Sequence, residues 1–273
     1  MGKIPVVEAF KFAFKPKDWI KRVGIYLTIF IGVQMVSFFL QFLTGGVLNI
    51  ASLKYTDTSV LSVISSGVYF ALYLAVILPT SIYTYGYSLE TMKNVVKGKT
   101  PYTPLHKNIG RKFKLGVINM FCLNLFPWLV MGFAIMLEIL AFVAMIGALK
   151  TVESGLNIFS TFGGAIGVII LALIVITEVL FIGAIYVPIA KYLYIKTDSI
   201  LSALNPTNVF DLLGKYRKEI LTAGIVVILV NIAAAIASIF TLFCVVLIGP
   251  LVQAYMYLVN DYIYGTVFKE IDK

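Results

Sequence analysis

A few polar side chains sit inside long apolar runs and could do chemistry there. They are Glu178, Gln253, Tyr257, Asn260 and Asp261. Gln253, Tyr257, Asn260, Asp261 and Tyr264 follow at i, i+4, i+7, i+8 and i+11, so on a helix they share one face. Glu178 lies 13 residues before Lys191, about 20 Å along a helix. In hydrocarbon such groups are costly, and they either line a path for protons, ions or a solute or fasten helices together by hydrogen bonds. The residue types leave both readings open. Glu138 lies 24 residues beyond Lys114, about 36 Å along an unbroken helix and past a hydrocarbon core of about 30 Å. That arithmetic places it at the outer surface, unless Pro127 breaks the helix.

The elements that must hold these groups are membrane helices. Of the 273 residues, 60% are apolar and 13% charged, against about 25% charged in a soluble domain. Runs long enough to cross a bilayer occupy approximately 23–43, 61–83, 115–149, 156–190, 220–240 and 242–268. The last two require a turn near Phe240–Thr241, which no Gly or Pro marks. The sequence therefore predicts an all-α integral membrane bundle of about six transmembrane helices, in one membrane domain over residues 1–273.

Charge sets the expected orientation. Twenty of the 22 Lys/Arg fall in residues 1–22, 86–114, 191–219 and the tail, which alternate with nearly uncharged connections. Short loops rich in Lys/Arg stay in the cytoplasm. Both termini are expected there, in the cell membrane. The formal net charge of +9 is accounted for by this bias, so no nucleic-acid partner is expected. The N-terminal apolar stretch is interrupted by Lys11, Lys15 and Lys17 and lacks a small-residue cleavage site, which does not fit a cleavable signal peptide.

The basic segments are also amphipathic, at approximately 4–15, 86–114 and 205–217. Val6, Val7, Phe10, Ala13 and Phe14 form an apolar stripe opposite Glu8, Lys11 and Lys15. This is the pattern of a helix lying in the interface on the cytoplasmic side. Asn205 is placed to cap a second such helix, with Pro206 at its first position. The expected contacts to anionic headgroups are Lys11, Lys15, Lys97, Lys99, Arg111, Lys112 and Lys114. The second, fourth and sixth spans each carry a proline followed by paired tyrosines: Pro79 with Tyr83 and Tyr85, Pro188 with Tyr192 and Tyr194, Pro250 with Tyr255 and Tyr257. This reads as a threefold repeat of leader and helical hairpin, or as the ordinary use of Tyr at interfaces.

Gly86-Tyr87, Asn94-Val95, Gly98, Pro101, Pro104 and Gly116 form a pattern that resembles the prokaryotic membrane family catalogued as domain of unknown function 4013. Ala9-Phe10, Phe14, Asp18-Trp19 and Lys21 resemble its start, and Gly249-Pro250 with Tyr264-Gly265 its last helix. Leu105-His106-Lys107-Asn108 departs from the acidic stretch expected after Pro104. The resemblance implies a multi-pass membrane protein and carries no activity.

Several chemistries are not supported. One histidine, His106, cannot supply a hydrolytic metal cluster. No phosphate-binding loop or nucleophile elbow occurs. Cys122 and Cys244 sit in apolar runs and read as apolar thiols. No cofactor or metal is expected. The leading expectation is a non-enzymatic membrane-embedded subunit or scaffold that engages lipid and a membrane or cytosolic protein partner. The alternative is a small transporter or permease with a path lined by the last helix and Glu178.

Overall fold

A computed structural model describes residues 6–11, 75, 78–101, 108–152, 157–240 and 245–272. Among them there are helices and turns and no strand. The predicted span 23–43, most of 61–83, Lys15, His106 and the turn at 241–244 lie outside the described residues, as does the side chain of Gln253.

In chain order the helices are α1 (Val6–Lys11), α2 (Leu78–Val96), α3 (Ile109–Val117), α4 (Phe126–Val152), α5 (Asn157–Phe181), α6 (Val187–Thr197), α7 (Ile200–Leu204), α8 (Pro206–Lys215), α9 (Arg217–Phe240) and α10 (Val245–Ile271). Two π-helical stretches, Ile118–Leu125 and Ile182–Tyr186, join α3 to α4 and α5 to α6. Each ends two residues before a proline, Pro127 and Pro188. Proline lacks an N–H and its ring crowds the carbonyl four residues back. A widened turn relieves that clash without ending the helix.

Three helical runs among the described residues are long and apolar enough to cross a membrane: Ile109–Leu140, Ile169–Thr197 and Arg217–Ile236. Their flanks differ from the sequence expectation. Residues 86–96 open the amphipathic segment expected at 86–114. They continue α2, and Gly86 to Met92 and Val95 are buried. That helix stops at Gly98, whose φ of 67° suits a residue without a Cβ.

The chain divides into two compact units, residues 1–120 with 229–273, and residues 121–228. In the first, α2 packs on α3 and on α10, and α1 packs on α10. In the second, α4 pairs with α5, while α7 and α8 fold onto α6. Burial in this second unit is graded along the long helix. Val187 to Tyr192 are buried, whereas Ile169, Leu173, Ile176 and Leu180 are exposed. Leu129, Phe133, Leu140 and Val143 on α4 are exposed as well. An exposed apolar surface of this kind is suited to lipid.

Caps fix the connection between α6 and α9. Asp198 ends α6 in the left-handed conformation (φ 55°). Ser199 accepts from the Ser202 N–H, and Asn205 Oδ1 accepts from the Thr207 N–H at 3.0 Å. Pro206 then starts α8 at the position where a missing N–H costs nothing.

Candidate functional site

The polar residues of the first unit are brought together by one close helix crossing. A Cβ on Gly86 would lie 1.8 Å from the Lys112 carbonyl oxygen, and one on Gly116 would lie 1.8 Å from that of Ile82. Only glycine at both positions lets α2 and α3 approach so closely. The contact turns the Lys112 side chain inward, where it is 0% exposed.

This corrects the expectation that Lys112 meets headgroups. Its Nζ lies 3.9 Å from Glu90 Oε2, 5.3 Å from the Tyr87 ring centroid and 5.9 Å from that of Tyr83. Glu90, which the sequence reading passed over, is 3% exposed. Tyr83, Tyr87 and Glu90 lie at i, i+4 and i+7, so they form one face of α2 presented to α3. A buried ammonium is tolerated here because a carboxylate and two ring faces replace its water.

The stripe on α10 meets the other polar face of α2. Asp261 is 3% exposed and its carboxylate accepts from the Ser88 hydroxyl. The hydroxyls of Tyr85 and Tyr257 are 3.1 Å apart, beneath rings whose centroids lie 5.1 Å apart. Burial, with Tyr257 and Asp261 adding to it, holds the Tyr85 phenol well above its ordinary pKa. Asn119, 0% exposed, donates through Nδ2 to the Tyr85 carbonyl at 2.7 Å. Asn231 of α9 donates through Nδ2 to Asn260 Oδ1 at 3.2 Å, and Asn260 Nδ2 donates back to Asn231 Oδ1 at 3.4 Å. Tyr264 is buried. Tyr255 donates to the Phe10 carbonyl and so ties α1 to α10.

Glu178 belongs to a different place. It stands beside Glu138 within the second unit. Each glutamate has a buried Oε2 with no hydrogen-bond partner among the described residues. A residue count along the helix takes no account of this partner, which α5 brings to Glu138. Two carboxylates cannot donate to each other, so a proton on one oxygen would complete the pair. An open cleft of about 310 Å³ lies beside Glu178, lined otherwise by Ile170, Leu173, Ile174 and Thr177. The exposed basic residues of the headgroup set are Lys11, Lys97, Lys99, Arg111 and Lys114.

The described residues thus hold three helical runs long and apolar enough to cross a membrane, and the first unit holds buried polar side chains bonded directly to one another. Residues 68–246 match the family model described as protein of unknown function (DUF4013), and the chain belongs to that family. No curated protein and no solved structure matches it.

Proposed function

We propose that the chain is a non-enzymatic, multi-pass subunit or scaffold of a prokaryotic cell membrane, with its basic loops and both termini in the cytoplasm. Its exposed lysines and Arg111 engage anionic lipid, and its cytoplasmic helix ends carry a protein partner. The observation that supports this reading is that the polar groups satisfy one another. Ser88 with Asp261, Tyr85 with Tyr257, Asn231 with Asn260, and Glu90 with Lys112 are direct pairs. Groups paired in this way act as fastenings between helices. Asp261→Asn keeps an acceptor for Ser88 and is expected to leave thermal stability in detergent nearly unchanged. Asp261→Leu removes it and should cost about 1–3 kcal/mol, read as a clear fall in unfolding temperature. If the isostere abolished a cellular role while the leucine variant stayed as stable as the parent, the fastening role would be refuted.

The Glu138–Glu178 pair favours a second reading, a proton-linked transporter. In it a carboxyl pair beside a cleft takes up and releases a proton as a solute moves. Proteoliposomes carrying an internal pH dye should then acidify in the presence of the solute, and Glu178→Gln should stop this while sparing expression. Unchanged proton movement in Glu178→Gln would remove this reading.

A further inference from the structure

The connection between α6 and α9 folds back along the long helix, away from its end. Tyr186 lies 11 residues before Thr197, about 16 Å down the helix axis, and its hydroxyl donates to the Leu204 carbonyl at 2.8 Å. Phe181 lies 16 residues before Thr197, about 24 Å down, and its ring stacks on Phe210 of α8 with centroids 6.0 Å apart. Asn208 of α8 donates to the Ser202 carbonyl and hydroxyl, which locks α7 and α8 into one piece.

The level to which α8 descends is marked by neighbouring side chains of the same unit. The Trp128 ring lies 3.5 Å from where a Cβ on Gly183 would stand. Gly224 of α9 packs against the Ala184 carbonyl. Trp and Tyr gather at headgroup depth. On one side of this level Leu180 and Ile176 are exposed apolar residues, and on the other Val187 to Ile195 are mostly buried. The exposed apolar surface of the long helix therefore ends near Gly183. Phe210, 53% exposed, stacks on Phe181 at the edge of that surface. Arg217 begins α9 seven residues before Gly224, about 10 Å toward the basic loop. Lys215, Arg217 and Lys218 are all exposed there. Arg217 and Lys218 make no ion pair among the described residues. Lys215 lies over the Tyr216 ring at 5.1 Å. Asp211, also exposed, stands one turn before Lys215 on α8 and offsets part of its charge.

We propose that α8 and the first turn of α9 bind an anionic phospholipid of the leaflet on the basic side. An acyl chain lies on Phe181 and Phe210, and the phosphate is held by Lys215, Arg217 and Lys218. This rests on the reading of the chain as membrane-embedded, with the loop at 198–216 against one leaflet. The spacing fits a phospholipid because the apolar contact and the cations differ in depth by about the distance from acyl boundary to headgroup. None of these cations belongs to the headgroup set suggested by the sequence.

The full chain would be reconstituted in phosphatidylcholine vesicles doped with phosphatidylglycerol bearing a photoactivatable group on its acyl chain. Crosslinked peptides would be mapped by mass spectrometry and compared with the same probe on phosphatidylcholine. Residues 199–216 should be labelled preferentially by the phosphatidylglycerol probe. The variant Lys215→Gln/Arg217→Gln/Lys218→Gln should lose that preference, by about fivefold for each charge removed. Raised salt should erode the preference in the unaltered chain, which tests the claim even if the variant misfolds. Equal labelling by both probes, or a preference that survives the triple substitution, overturns the site. Labelling of 129–143 and 169–180 without 199–216 also overturns it, because α8 then stands clear of the bilayer. Absence of label at 129–143 and 169–180 would instead contradict the membrane reading itself.

Discussion

Lys112 shows how a single residue changes meaning once its helix is known. In sequence it belongs to a run of cations, Arg111, Lys112 and Lys114, and the run as a whole reads as solvated. In the structure its neighbours Arg111 and Lys114 are exposed and Lys112 is buried against Glu90. The information was present. Lys112, Leu115, Gly116 and Asn119 fall at i, i+3, i+4 and i+7, and all four are buried. An apolar run beginning at Leu115 hides that face, because the helix starts at Ile109. By contrast the polar stripe on α10 was legible, because its period of 3.6 runs through an otherwise apolar segment and nothing competes with it. The pair makes a prediction at this scale. Lys112→Ala removes the ammonium beside a buried carboxylate and should destabilise the fold by about 3–5 kcal/mol. The double variant Glu90→Leu/Lys112→Met should recover most of that loss. Thermal unfolding in detergent measures both, and equal losses in the two variants would show that the pair itself contributes nothing.

At the scale of elements, apolar period located the helices and missed how they continue. The runs at 115–149 and 156–190 correspond to helical stretches reaching Val152 and Thr197. Both pass through a proline that would ordinarily end a helix. The π-helical turns ahead of Pro127 and Pro188 explain the continuity, and no residue pattern announces a π turn. The sequence suggests an amphipathic cytoplasmic segment over 86–114; its first part, to Val96, is the packed end of α2, a helix in which Thr84, Ser88 and Thr91 are buried. Polar residues there bond to their own helix and to α10 and do not face water. Of the segment expected as an amphipathic leader at 4–15, Val6–Lys11 form α1, with Ala9 buried and Lys11 exposed, while Val7 of the expected apolar stripe is exposed as well. This helix is held by Tyr255, whose hydroxyl bonds the Phe10 carbonyl and whose ring lies 6.2 Å from that of Phe10. Phe10→Glu should therefore loosen α1 from α10 without inverting the protein. Hydrogen exchange at residues 6–11 should rise in that variant, while exchange in α10 around Val259 and Ile263, both fully buried, should not. Unchanged protection of α1 would mean that the ring contact does not hold it.

For the whole molecule, the distribution of charge and of burial support one account. The basic residues cluster in alternate connections. Buried polar pairs join α2, α3 and α10, while long stretches of α4 and α5 leave bulky apolar side chains uncovered. A chain built this way uses its polar groups to hold helices together and exposes apolar surface suited to lipid. Cysteine accessibility in intact cells tests that account most directly. In a background with Cys122 and Cys244 replaced, single cysteines would be placed as Asp57→Cys, Lys99→Cys and Ile271→Cys and treated with a membrane-impermeant maleimide. The account expects labelling at position 57 alone, with positions 99 and 271 labelled only after the cells are opened. Labelling at 99 or 271 from outside would contradict it.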